Sequence, residues 1–242
     1  MSLKWKGAIV ALAVSGLVAA PSRGDAQGGV KFGITAFGGY NSYAMDDVND
    51  AIDDLNADPD VTAAGISVDE ISSGIGLGGG IQVWAGGDFL VSAEYERLMA
   101  SSKDDGNVGG TPVSVELKVP ANAFVLTGAY LFPSTSKARF GIGAGLGYYS
   151  TSGTQEVSAP PLTFSDEATG SGLGYHILGV MDYEASKQIH LGLRVGYRIA
   201  ETSDLEDSDG EKILNPDGSE ATVDWSGVMS RVGLTFLFGT SE

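Results

Sequence analysis

The sequence predicts an all-β fold, an eight-stranded antiparallel up-and-down transmembrane β-barrel with a short helix in its first outer loop. Three observations predict it. Apolar residues alternate with glycine or polar residues in eight segments, the connections between segments alternate between short and long, and the non-apolar face is mostly glycine with a few charges. Period-two alternation indicates strands with two different faces. Connections sorted by length indicate a barrel with one short-turn rim and one loop-bearing rim.

Composition and charge limit the classes of protein to which the chain can belong. Its 242 residues include 14 basic and 31 acidic side chains, and the net charge of −17 repels phosphate and excludes a nucleic-acid partner. The absence of cysteine excludes disulfides, zinc–cysteine sites, iron–sulfur clusters and thiol catalysis. Hydrophobic residues make up 43% of the chain, which is enough for a folded core.

The N-terminal segment has the pattern of a secretory signal peptide. Two lysines precede an apolar run at 8–20, which is shorter than the roughly 20 residues that a bilayer-spanning helix needs. Small residues, the last of them Ala26, then precede a cleavage site before Gln27. The sequence therefore predicts a signal peptide at 1–26 and an exported domain at 27–242, which the strand pattern makes a β-barrel.

The eight alternating segments have the length of tilted membrane-crossing strands. Segment 189–199 shows the pattern most clearly, because large apolar residues alternate with glycine, histidine and arginine. Most segments reach the ~9–11 residues that such a strand needs. The predicted strands are 30–40, 71–85, 88–98, 113–132, 138–149, 171–184, 189–199 and 222–238.

The connections support a barrel better than a soluble sandwich, which has no reason to sort its loops by length. Three of them are short, at 85–87, 133–137 and 185–187. Four are long and polar, at 41–70, 99–112, 150–170 and 200–221. The two kinds alternate strictly along the chain, as in an up-and-down barrel.

The first long connection contains a predicted helix at 45–57. Apolar residues spaced by three, four and three form a stripe on one side of it: Met45, Val48, Ile52 and Leu55. Asp58-Pro59 should end the helix, because the residue before a proline avoids the helical conformation. The helix is either a solvated element that leans on the rim or a lid that plugs the barrel mouth.

The face made of glycine and charges is predicted to point into the barrel. A water-facing exterior made chiefly of glycine is implausible, so the apolar face should contact lipid, with aromatic residues in two interfacial girdles. Charges inside a narrow lumen must be paired. The expected ion network consists of Glu94, Glu96, Arg139, Arg194 and Arg198, with Arg231 as a further member. It either fixes barrel packing or lines a gated ion path.

The C-terminal segment adds a motif. Arg231, Gly233, Phe236 and Phe238 form a pattern that resembles the terminal signal by which the outer-membrane assembly machinery recognises its clients, although four residues follow the last aromatic. With the strand pattern, the chain resembles the small eight-stranded outer-membrane barrels typified by the OmpA transmembrane domain and OmpX. The resemblance implies a Gram-negative-type outer membrane, extracellular long loops, periplasmic termini, and contact with outer-membrane lipid and lipopolysaccharide.

Acidic residues are concentrated in two outer loops. Residues 41–70 contain nine acidic residues and no basic one, and residues 201–224 contain nine against Lys212 alone. Weak binding of divalent cations is one interpretation and plain solubility is the other. The stretch 204–210 misses the helix–loop–helix calcium pattern, because Leu205 occupies the first ligand position. No metal site and no cofactor are predicted.

No catalytic residues are predicted either. Some eight-stranded outer-membrane barrels are lipid A acyltransferases or deacylases, but the two histidines, His176 and His190, lack the His-x-Ser pair of the deacylases. His176 and Asp182 lie about 20 Å apart along one strand at ~3.3 Å per residue. We expect a barrel with a structural or surface-interaction role, no enzymatic activity and no open general pore. The alternative is a small-solute or hydrophobic-ligand channel with a loop lid.

Overall fold

The computed structural model describes residues 30–238, which form a closed ring of eight antiparallel strands. The strands are β1 (Lys31–Ser42), β2 (Ser73–Ala85), β3 (Phe89–Val108), β4 (Thr111–Leu131), β5 (Ala138–Ala159), β6 (Leu162–Glu184), β7 (Ile189–Glu206), β8 (Val223–Asp224) and β9 (Gly227–Phe238). Consecutive strands pair, β9 pairs with both β7 and β1 to close the ring, and β8 is a two-residue addition to β7. The predicted fold class is confirmed. The predicted signal peptide lies outside the described residues.

Side chains alternate between the two surfaces of the ring as the sequence predicts. On β5, Phe140, Ile142 and Leu146 are 58%, 61% and 69% exposed on the outer surface. In contrast, Glu96 and Arg198 are at most 1% exposed and point inward. None of the helices within 30–238 is long and apolar enough to cross a membrane.

Glycines on the inner surface make room for large polar neighbours. A Cβ atom on Gly76 would collide with Glu96 Oε1 and lie 2.9 Å from Asn41 Nδ2. A Cβ atom on Gly145 would lie 2.5 Å from the His176 ring. The glycine rows of β2 and β5 therefore allow buried polar side chains to fit across a narrow lumen.

Two predicted loops are wrong, because the strands continue through most of them. β3 and β4 meet at a tight Gly109-Gly110 turn, and β5 and β6 are separated only by Pro160-Pro161. Past the apolar band, neither surface of the sheet has to be apolar, so the period-two pattern that marks the membrane-crossing segments disappears. The regions predicted as loops at 99–112 and 150–170 are therefore tall β-hairpins.

These hairpins form a four-stranded wall at the loop-bearing end. Its β3 edge is covered by the first long loop, since Asn107 N donates to Ala64 O at 2.8 Å and Ser67 N donates to Asp104 Oδ2 at 2.7 Å. The opposite edge belongs to β6, which pairs with β7 only from Thr169 toward the short-turn end. Among the described residues, 162–168 therefore pair with β5 alone.

The last predicted strand, 222–238, is interrupted near its start. β8 ends at Asp224 and β9 begins at Gly227, which has a φ of 153°. A Cβ atom on Gly227 would collide with Ser42 O, so only glycine allows this close approach to the end of β1. The break between β8 and β9 lets the chain pass from the last long loop into the strand that closes the ring.

The first long loop contains two helices, α1 (Asp46–Ala57) and α2 (Pro59–Ala63). The predicted boundary is confirmed, because Asp58 follows α1 and accepts the Asp60 N–H at 2.8 Å as the N-cap of α2. The predicted apolar stripe faces inward: Met45 and Ile52 are buried, while Val48 and Leu55 pack against the same core.

Candidate functional site in the barrel lumen

Five ionic side chains meet in the middle of the lumen. Glu94 and Glu96 lie two residues apart on β3 and therefore share its inner face. We call this group the central network: Glu94, Glu96, Arg194, Arg198 and Arg231. All five are at least nine-tenths buried, so the network joins three strands inside the protein.

The Glu94 carboxylate contacts two arginines and the Glu96 carboxylate contacts two. Arg194 Nη1 donates to Glu94 Oε1, and Arg231 Nη1 donates to Glu94 Oε2 at 3.2 Å. Arg198 and Arg231 lie 3.6 and 3.8 Å from Glu96 Oε2, which are ion-pair distances. Arg231 therefore belongs to both halves of the network and connects them.

Arg139 was predicted in this network and the structure places it elsewhere. It binds Asp182 at 3.1 Å and donates to Gly87 O at 2.6 Å near the short-turn rim. The strand registers align Glu94 with Val125 and Val125 with Gly147. Gly147 is about 26 Å along β5 from Arg139 at ~3.3 Å per residue. The alternation in the sequence assigns Arg139 to the inner surface, but it does not give its position along the barrel axis.

A second polar group, the short-turn cluster, surrounds Arg139. Its members are Trp84, Arg139, Asp182 and His190. Asp182 accepts from His190 Nδ1 at 2.9 Å, and the Arg139 guanidinium lies 4.7 Å from the Trp84 ring centre. From the sequence, Asp182 is compared only with His176, from which about 20 Å of strand separates it, and its contact with His190 is not predicted. The short turn between β6 and β7 was the available signal, since it aligns Asp182 with Gly192, two residues from His190.

Among residues 30–238, no carboxylate is hydrogen-bonded to His176. Its Nε2 is 3.0 Å from Thr127 Oγ1, and its Nδ1 has no hydrogen-bond partner within residues 30–238. The hydroxyl group of Thr127 is therefore next to His176, whereas the carboxylate of Asp182 is next to the other histidine, His190. In the described part of the chain, a nucleophile, a base and an orienting carboxylate do not meet at either histidine.

Aromatic residues connect the central network to the loop-bearing end. The Arg198 guanidinium lies 5.9 Å from the Tyr43 ring and 5.7 Å from the Tyr149 ring, and its Nε donates to Trp225 O at 3.1 Å. Trp225 Nε1 in turn donates to Thr151 Oγ1 at 2.9 Å. The lumen is therefore packed continuously from the network toward the mouth.

Residues 43–71, which we call the plug, fill the mouth. Asn56 fastens α1 to the return segment, since its Oδ1 accepts from Val68 N at 2.8 Å and its Nδ2 donates to Val68 O at 2.9 Å. Asn49 Oδ1 accepts from Ile71 N at 2.8 Å. The buried core around the plug comprises Tyr43, Met45, Ile52, Ala64, Ile66, Val68, Ile71, Leu98, Ala100, Val115, Val119, Ala121, Ala123, Val125, Tyr149, Ala200, Leu205, Ala221, Val223 and Trp225.

The predicted assembly motif lies on β9 and divides between the two surfaces. Phe236 and Phe238 are exposed on the outer surface with ring centres 5.0 Å apart, and they pair with β1. Arg231 and Gly233 line the lumen. Recognition of this motif by assembly machinery stays a prediction. Across residues 30–238, no three His, Asp or Glu side chains are grouped so that they could hold a metal ion.

Comparisons with known proteins place the chain among outer-membrane proteins. A model of the outer membrane protein beta-barrel domain matches residues 9–226. Neisserial surface protein A is 12% identical, with a TM-score of 0.37 and coverage of 87% of this chain and 100% of that chain. OprG from Pseudomonas aeruginosa is 13% identical, with a TM-score of 0.41 and coverage of 88% and 97%. A major outer membrane protein from Thermus thermophilus is 14% identical, with a TM-score of 0.48 and coverage of 87% and 100%. A search of curated proteins finds no match.

Proposed function

Since the chain belongs to the outer membrane protein beta-barrel domain family, we propose that it acts in the outer membrane as a closed barrel that offers its loop-bearing end to other molecules. The long loops face the outside and the termini face the periplasm. The role is structural or surface-directed, without an open general pore. The closed lumen is the observation that carries this proposal.

Closure has two layers. The central network crosses the lumen, and Arg231 contacts Glu94 and Glu96 together. Above it, the plug fills the mouth with a buried apolar core that includes Met45 and Ile52. An ion crossing the barrel would have to displace buried, paired charges and then a packed helix, and both displacements cost free energy.

The loop-bearing end has the charge and the shape of an interaction surface. The β3–β6 wall rises beyond the apolar band, and its β5–β6 hairpin carries Phe164 at 66% exposure. Residues 201–224 contain nine acidic side chains, and their one lysine, Lys212, is bound by Asp204 and Glu220. A partner with basic groups, or lipopolysaccharide reached through divalent cations, suits such a surface.

An enzymatic role is not proposed. The Thr127 hydroxyl is beside His176, but both are buried and no carboxylate orients that ring among the described residues. His190 has its carboxylate in Asp182 but no hydroxyl partner there. Each histidine therefore lacks one part of the arrangement that activates a nucleophile.

Planar-bilayer conductance tests the proposal. The full-length barrel and a variant lacking residues 45–57 are inserted into bilayers, after gel mobility before and after boiling has shown that both are folded. Electrical silence is expected in both, since the central network remains below the deleted helix. A double variant, N49A with N56A, is the matched control, because it loosens the plug without shortening the chain.

Measurable ion currents would contradict the proposal, and their pattern in the two forms would show which part of it is wrong. Steady currents that rise when residues 45–57 are removed would favour the lidded small-solute or hydrophobic-ligand channel. The inward apolar stripe of α1, in which Ile52 is buried, is the observation that favours this second function, because a helix packed on the core of the mouth has the position of a lid. Currents of equal size in both forms would refute closure by the central network as well.

A further inference from the structure

A small cavity lies in the lumen between the central network and the short-turn cluster. Its volume is about 30 Å³, and its lining includes Thr35, Gln82, Trp84, Asp182, Arg194 and Arg231. Such a volume holds a particle of about the size of one water molecule.

The charges of the central network beside this cavity do not cancel. Two carboxylates meet three arginines in it, while the third buried carboxylate, Asp182, is bound by the partly exposed Arg139 at the short-turn rim. One positive charge of the central network is therefore left over. An uncompensated charge in the interior of a protein is costly, so a compensating anion is expected near it.

Two buried donors at the cavity also lack an acceptor. Trp84 Nε1 and Arg231 Nε have no hydrogen-bond partner within residues 30–238, each residue is 3% exposed, and each lines the cavity. Two of the nearby carboxylates are already engaged, and the third, Glu96, does not line the cavity and meets Arg198 and Arg231 only at ion-pair distance. Asp182 accepts from Arg139 and His190, and Glu94 accepts from Arg194 and Arg231. The cavity wall thus offers unsatisfied N–H groups on a positively charged background.

We propose that this cavity is a binding site for a monatomic monovalent anion, which is chloride in ordinary salt solution. A halide supplies the missing negative charge and accepts hydrogen bonds from both orphaned donors. A water molecule of the same size satisfies the donors but leaves the extra arginine uncompensated. The site concerns the interior of the barrel and goes beyond the proposed surface role, so each can fail without the other.

Bromide replacement locates the anion directly. Crystals of the full chain are grown in sodium bromide in place of sodium chloride, and diffraction is measured at the bromine absorption edge. An anomalous peak within hydrogen-bond distance of Trp84 Nε1 and Arg231 Nε is expected. Well-ordered density in the cavity without an anomalous peak would identify water and overturn the proposal.

Halide-dependent stability tests the same site in solution. Because an anion that binds only the folded barrel raises its stability by mass action, the midpoint of thermal unfolding in detergent should rise with chloride but not with gluconate at equal ionic strength. Trp84→Phe removes one donor while it keeps an aromatic ring. It should require about 10-fold more chloride for the same rise, as expected for the loss of one hydrogen bond to a charged group.

Trp225→Phe is the matched control, since Trp225 lies in the plug core and its indole N–H already binds Thr151. It should keep the chloride response of the unmodified chain, whatever its own midpoint. Arg231→Lys, which keeps the charge but lacks Nε, should weaken the response as Trp84→Phe does. Equal midpoints in chloride and gluconate for the unmodified chain, or an unchanged response in Trp84→Phe, would refute the site.

Discussion

Glu94 binds two arginines at once, so its carboxylate should be the most sensitive single group in the barrel. Glu94→Gln keeps the shape of the side chain but leaves Arg194 and Arg231 without their shared partner. Breaking a buried ion pair on one side costs ~3–5 kcal/mol. We expect a loss of that order in the free energy of unfolding, measured by urea titration of the folded barrel in detergent.

A surface ion pair provides the comparison for Glu94. Lys103 and Asp105 lie 3.2 Å apart on the outer part of β3, and the Asp105 side chain is 70% exposed. Exposed pairs are screened by water and contribute little. Asp105→Asn should leave the urea midpoint nearly unchanged, and a loss as large as that of Glu94→Gln would show that burial is not the cause.

Gly76 should not tolerate even a methyl group. In Gly76→Ala the new Cβ atom would collide with the Glu96 carboxylate, and Asn41 limits movement to the other side. Overpacking of this kind costs ~1–3 kcal/mol. Gly128→Ala is the matched change, because its Cβ atom would have nothing within 4 Å. Thermal unfolding should separate the two variants, and equal midpoints would contradict the packing role of Gly76.

At the scale of the residue, the sequence predicts well which surface of the barrel a side chain lies on, but it predicts poorly the position of that side chain along the barrel axis. Period-two alternation assigns Glu94, Arg194 and Arg198 to the inner surface correctly, because a strand has only two faces. Whether two inward residues meet depends on strand register, which alternation leaves open. For this reason Arg139 was placed with Glu94, whereas it lies beside Asp182, and the Asp182–His190 contact was missed.

At the scale of the element, the plug is held to the wall by a carboxylate that responds to pH. The Ser67 N–H donates to Asp104 Oδ2 at 2.7 Å, and this hydrogen bond holds the pKa of the Asp104 carboxyl below its ordinary value. A lowered pKa in the folded state means that the tether contributes at pH values above the ordinary pKa. Its contribution is lost as the pH falls through the lowered value.

The Ser67 amide is a direct probe of this tether. Its NMR chemical shift should stay constant from neutral pH down to the ordinary aspartate range and change only below it. Asp104→Asn removes the titration and serves as the control. A change centred at or above the ordinary pKa of aspartate would contradict a stabilising hydrogen bond between Ser67 and Asp104.

The helix and the strands were predictable to different extents. The 3-4-3 spacing of apolar residues located α1, and Asp58-Pro59 located its end, since both signals are local. The strand segments that cross the apolar band were located because their outer side chains must be apolar. The extensions of β3 to Val108 and of β5 to Ala159 were not, because no solvent difference between their faces imposes a pattern.

At the scale of the whole molecule, protease access tests the proposed orientation. Lys212 is exposed in the last long loop, and Lys187 is exposed in the short turn between β6 and β7. Trypsin added to intact cells should cleave at Lys212 and spare Lys187, whereas after permeabilisation both sites become accessible. Cleavage at Lys187 alone in intact cells would reverse the orientation. Fragment masses distinguish these results.

The match to the outer membrane protein beta-barrel domain over residues 9–226 confirms the resemblance that the strand pattern predicts, and the C-terminal motif lies beyond the matched residues. The architecture is accessible from sequence because a lipid exterior constrains every crossing segment in the same way. The function is harder to predict from the sequence. The residues that close the lumen are far apart in the chain, and only the strand register and the fold of the first long loop bring them together.

The uncovered β6 edge affects whether neighbouring barrels associate in a crowded membrane. Residues 162–168 present main-chain donors and acceptors that no neighbouring strand takes up within the described part of the chain. An edge of this kind is a template on which a second barrel could continue the sheet. Asp166 and Glu167 lie on that edge, so two copies that approach each other there bring like charges together. We therefore expect the barrels to stay apart as monomers at physiological ionic strength and to begin associating when salt screens these carboxylates.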